Sequence, residues 1–80
     1  MKVVMRDGRV FQGTAKQIVK AMQDIAFSER DLTFSEYIDW VVQNALRFDE
    51  AELKVEGASD DERAASLVSE MTRTGLCKKG

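Results

Sequence analysis

Few side chains in this sequence are suited to chemistry, and they are scattered. Cys77 is the only cysteine and histidine is absent. General base work would therefore fall to carboxylates or lysine, and neither a thiol–imidazole pair nor an ordinary zinc site can be assembled. Cys77 stands beyond the last helical pattern, with no neighbouring base or oxyanion donor. The run Asp60-Asp61-Glu62 offers oxygen ligands, but it lacks the alternate spacing and the glycine of a calcium loop. In the first turn of a helix those carboxylates are accounted for by the dipole. The inventory points away from catalysis, and it calls for no metal and no cofactor.

Two other groups of residues point to binding. Gly13-Thr14 stands where a strand gives way to a helix, so free helical amides there could meet an anion, with Arg6, Arg9 and Lys16 adding charge. The step lacks the glycine spacing of a nucleotide-binding loop, and an N-cap is the plainer reading of Thr14. The second group lies in residues 33–48, TFSEYIDWVVQNALRF, which hold the only Trp and the only Tyr. At about 100° per residue, Phe34, Ile38, Val41, Ala45 and Phe48 form a core-facing stripe. Val42 and Leu46 widen it on one flank, with Tyr37 and Trp40 on the other. The apolar arc exceeds what one buried face needs, so Tyr37, Trp40, Val42 and Leu46 are the candidate contacts to a protein partner or a second copy.

The rest of the chain must position these groups. Eighty residues make one domain, and such a short chain buries only about 60% of its unfolded surface. With no disulfide or zinc to add stability, oligomerisation is the remaining device, and a homo-oligomer, most simply a dimer with Trp40 near the contact, is expected. Twelve basic residues against 14 acidic give a net charge of −2 and no general pull toward nucleic acid. No run approaches the roughly 20 apolar residues of a membrane span, and the N-terminal apolar stretch is too short for a signal peptide, so a cytoplasmic location is expected.

Asp7-Gly8 between KVVMR and RVFQ predicts a hairpin over 2–12 with a two-residue turn, setting Met5 against Val10 and Val4 against Phe11. Thr14 to Gln17 is a capping box opening a helix over 14–27, with Ile18, Ala21, Met22 and Ile25 inward and Gln23 on the polar side. Thr33 to Glu36 caps the helix over 33–48, with Leu32 and Tyr37 placed for a hydrophobic staple. The alternation of ELKVEG predicts a third strand over 52–56 that pairs with the hairpin. Ser59 to Glu62 caps a last helix over 59–74, with Gly75 and Leu76 set for a Schellman ending. The final residues, 77–80, are read as a tail. The expected fold is α+β: a small three-stranded antiparallel sheet packed with three helices, in the order ββααβα.

The segments RDGRVFQGT, KQIVKAM and EYIDWVV resemble small proteins encoded by bacterial and phage genomes. The resemblance implies a bacterial or viral cytosolic origin and carries no site residues. Some phage proteins of this size inhibit host defence by binding a protein or sequestering a nucleotide. The functional expectation is thus a non-catalytic, oligomeric protein-interaction module. The first alternative is an anti-defence protein that sequesters a nucleotide or other anion. The second is a DNA-binding regulator. Strand-helix-helix is the order of the ribbon-helix-helix repressors, but Asp7-Gly8 would interrupt the ribbon; a helix-turn-helix fits no better, since the 28–33 connector is long for its turn and Glu36 and Asp39 on a recognition helix would repel phosphate.

Overall fold

The computed structural model describes residues 1–26 and 29–80. Two strands, β1 (Lys2–Met5) and β2 (Val10–Gln12), are followed by helices α1 (Ala15–Asp24), α2 (Phe34–Asp49) and α3 (Asp60–Arg73) and a last strand, β3 (Cys77–Lys79). The sheet is antiparallel in the order β2-β1-β3, with the chain's first strand at its centre. The α+β architecture of three strands and three helices is the one expected, in the order ββαααβ. The helices cover one face of the sheet, and Val3, Ile18, Val19, Ile38, Leu67 and Met71 fill the space between them with essentially no exposure.

The hairpin differs from expectation by one residue. The Gly8 amide donates to the Met5 carbonyl (3.0 Å) and the Met5 amide to the Arg9 carbonyl (2.8 Å). The loop therefore has three residues, Arg6-Asp7-Gly8, with Gly8 alone at positive φ (89°). A one-residue change of register exchanges the faces of a strand. Val3 now opposes Phe11 and Val4 opposes Val10. Val3 and Phe11 turn to the helices while Val4 and Val10 share the open face. Burial explains the choice, because this register puts Val3 at the centre of the core.

Local signals account for the helix boundaries. Both halves of the capping box are made at Thr14–Gln17 and at Thr33–Glu36. Ser59 caps α3 by accepting from the Glu62 amide (3.1 Å), but the Glu62 carboxylate takes the Ser59 hydroxyl (3.2 Å), so that box is only half formed. At the other end the Leu76 amide reaches the Met71 carbonyl and the Gly75 amide the Thr72 carbonyl, the Schellman pair. Helix α1 stops at Asp24, with Ile25 as its cap and half exposed. The helix expected over 14–27 thus ends early, with Ile25 and Ala26 outside it, and Phe27 and Ser28 themselves lie outside the described residues. Gln23, expected on the polar side, is buried instead. Its amide nitrogen donates to the carbonyls of Glu29 (3.2 Å) and Leu32 (2.7 Å), tying α1 to the turn at Glu29–Asp31.

The third strand is not where alternation placed it. Leu53 is buried and Val55 half-buried, so residues 52–56 are extended with the expected face inward. Their partner is a helix rather than the sheet. The Lys54 amide donates to the Glu70 carboxylate (2.8 Å), the Glu56 amide to the Ser66 hydroxyl (3.0 Å), and Arg73 to the Glu52 carbonyl (3.0 Å). Side chains of α3 thus do what a strand neighbour would. Gly57 closes this arrangement at φ 133°, where a Cβ would lie 2.7 Å from Glu62 Cβ. The place beside β1 is taken by Cys77–Lys79, which had been read as a tail.

Glu70 organises the connector, and its titration should be visible. The Arg73 guanidinium, and then the Lys54 amide, hold its carboxyl well below the ordinary value of 4.5, at about 2. The folded state therefore favours the carboxylate, and the stability this contributes is present above pH 4.5 and lost as pH falls toward 2. Glu70→Gln should melt below the wild type at neutral pH, and the gap between the two should close across that acid window. A gap that stays constant with pH would contradict the assignment.

Candidate interaction surface

Helix α2 carries three of the exposed large apolar residues, Trp40, Leu46 and Phe48, and its surroundings sort them. Tyr37 is buried, only 4% exposed, with the Trp40 ring stacked on it at 5.9 Å and an interplanar angle of 19°. Burial pushes the Tyr37 phenol up to about 12, and Glu29 adds to the shift. Trp40 retains 36% exposure and Phe48 72%. The spacing Trp40, Asn44, Phe48 places them along one side of the helix, each step turning by about 40°. The Asn44 side chain donates to the Trp40 carbonyl (2.8 Å), and the Arg47 guanidinium lies 5.6 Å from the Phe48 ring centre.

Trp40 and Phe48 line a groove of about 350 Å³ that the hairpin-tip residues also line. Its lining includes Met5 and Leu76 opposite the helix and the buried Tyr37 and Met71 beneath. Arg6 closes one end, held by the Asp49 carboxylate (3.1 Å) and the Gly75 carbonyl (3.2 Å). The groove's lining is mostly apolar, with Arg6, Asp7 and Asp49 as its charged members, which suits an apolar side chain from another protein.

The four expected contact residues do not form one patch. Tyr37 belongs to the core. Trp40 lies on the groove, and Leu46, 57% exposed, is about 120° around the helix from it. Val42, half-buried, lies on the Leu46 side. That flank also faces α3, where Arg63 bridges to the Ser35 hydroxyl and the Asp39 carboxylate. Phe48, which periodicity assigned to the core stripe, is the residue sequence reasoning missed. Leu46, Arg47 and Phe48 are all exposed, so the last turn of α2 runs past the core it was expected to cover.

The anion-binding candidates are likewise apart. Arg6 and Arg9 sit at the hairpin tip, each with a carboxylate: Asp49 at 3.1 Å and Asp7 at 3.2 Å. Thr14 and Lys16 lie beyond the other end of the ribbon. There the Thr14 hydroxyl accepts from the Gln17 amide and the Gln17 side chain accepts from the Thr14 amide. Among the described residues, no group of three or more Cys, Asp or Glu is placed to hold a metal ion, and no helix is long and apolar enough to cross a membrane.

Known proteins supply no precedent. No family model, curated protein or solved structure matches the chain.

Proposed function

We propose that the protein is a non-catalytic interaction module that takes an apolar anchor side chain of a protein partner into the groove beside α2. The observation that supports this reading is the exposure of two aromatic side chains, Trp40 and Phe48, in the lining of one largely apolar groove. Aromatic residues backed by a rigid floor are the usual energetic centre of protein interfaces, and here the floor is the Tyr37 ring. Sequestration of an anion is not adopted, because the four residues that would carry it are divided between opposite ends of the hairpin.

The test is capture of partners from the native host by immobilised wild type and by Trp40→Ala. The variant should keep its circular dichroism spectrum and lose a defined partner, with a cost of about 2 kcal/mol or more in affinity. Equal recovery of the same partner by both proteins would remove Trp40 from the site. A thermal-shift series with nucleotides and phosphate serves as the counter-test, since a rise in Tm that tracks ligand concentration would favour the anion reading.

A further inference from the structure

The two outer strands of the sheet are unequal, and the difference has a chemical meaning. Along β2, hydrogen bonds join Met5 to Arg9 and Met1 to Gly13. Antiparallel ladders alternate bonded and non-bonded pairs, so Val3 and Phe11 form the bonded pair between these two. The amides and carbonyls of Val10 and Gln12 therefore point away from the sheet, and they have no hydrogen-bond partner among the described residues. Val10 is 52% exposed and Gln12 is exposed. No lysine, proline or inward charge protects this edge, whereas such devices are the usual guard against pairing. The opposite edge is guarded. Gly80 donates to the Lys2 carbonyl, so the same alternation points the Cys77 and Lys79 backbone outward, and a twin strand there would set Lys78 directly against its copy.

We propose that the protein forms a symmetric dimer in which β2 pairs antiparallel with β2 of a second copy, joining the two sheets into one. A two-fold axis at Phe11 brings Val10 opposite Gln12 of the twin and satisfies both outward amides and both outward carbonyls of each chain. The two Phe11 rings, half-buried on the helix side, meet at the axis as a close non-bonded pair. Arg9 falls opposite Gly13 of the twin, so no like charges are opposed. The edge can thus pair with itself with every outward backbone group bonded, its one aromatic ring matched to its twin and no like charges opposed, and on these grounds a second copy is its occupant. The α2 groove plays no part in the pairing and stays open to a different protein.

Charge exchange at the two opposed positions tests this. Val10 and Gln12 lie on the open face, so substitutions there leave the core intact. In Val10→Glu with Gln12→Glu, carboxylates oppose each other twice across the axis, and self-association should weaken about tenfold or more. In Val10→Glu with Gln12→Lys, opposite charges meet instead and the dimer should persist. Sedimentation from low micromolar to near-millimolar protein reads all three chains. Amide exchange gives a second reading on the wild type alone: the Val10 and Gln12 amides should slow with rising concentration while exposed loop amides do not. A wild type that stays monomeric, equal association of the two double variants, or concentration-independent exchange at both amides overturns the proposal. Trp40→Ala should leave the dimer unchanged, which separates this outcome from failure of the groove.

Discussion

A chain shortened to end at Thr74 is expected to lose its cooperative fold. The deletion removes the buried Cys77 side chain, worth about 1.5 to 2 kcal/mol, and the β1–β3 ladder, at about 1 kcal/mol per bond. It also removes the Gly75–Leu76 closure of α3 and the carbonyl that holds Arg6. Together these come to about 4 to 6 kcal/mol, whereas a domain of this length has about 4 to 12 kcal/mol in all. What remains of the sheet is a two-stranded ribbon, which is marginal in water. Thermal unfolding followed by circular dichroism should show a Tm lower by about 20 °C or more, or no transition. Lys78→Pro, which removes a ladder donor and leaves Gly75 and Leu76 in place, should reproduce part of the loss. A truncated chain melting within a few degrees of the full one would mean that β3 is dispensable.

Tyr37→Ala should cost about 3 to 5 kcal/mol, the range for removing a buried ring without collapse of the cavity. Trp40, one side of whose ring faces water, should cost the fold no more than about 1 to 2 kcal/mol when truncated. Urea titrations that shift the midpoint at constant slope measure both values. Comparable losses at the two positions would mean that Trp40 belongs to the core and not to a surface. Tyr37 also sets an alkaline limit. Its phenol titrates near 12 in the fold instead of 10, so the neutral form is favoured there; the stability this gives is complete below pH 10 and is lost as pH rises toward 12. Tyr37→Phe should remove that slope.

What could be read in advance follows the range of the interactions. Thr14 with Gln17 and Thr33 with Glu36 act over three residues, so their partners stand beside them in the chain and the helix starts were legible. The hairpin was legible as a hairpin, but Asp7-Gly8 suits both a two-residue turn and a three-residue loop with Gly8 left-handed. Only the core's demand for Val3 decides between them. Leu53 and Val55 did report an extended segment. Alternation cannot say whether the neighbour is a strand or the Ser66–Glu70–Arg73 side of a helix, because both offer an apolar face and hydrogen-bonding groups. Cys77-Lys78-Lys79 has one apolar residue and no pattern of its own, and its place is set wholly by the vacancy beside β1. For the surface, the width of the apolar arc on α2 was visible, while its division into a core residue, Tyr37, and groove residues, Trp40 and Phe48, depends on where the hairpin tip lies.

The position of β1 has a consequence in time. Of the sheet's three strands the first in the chain is the central one, and it pairs on one side with residues 77–79, the last of the three to be made. The β1–β2 ribbon can form within the first dozen residues, but the contact between Val4 and Lys78 closes almost the whole length of the described chain, the kind of distant pairing that slows folding. During translation the hairpin must therefore wait, with one flank of β1 unpaired and Val3 uncovered, until residue 79 has cleared the ribosome. Completion of the sheet waits on the emergence of β3, and the interval before it is when a nascent chain of this protein is most open to pairing with the wrong strand.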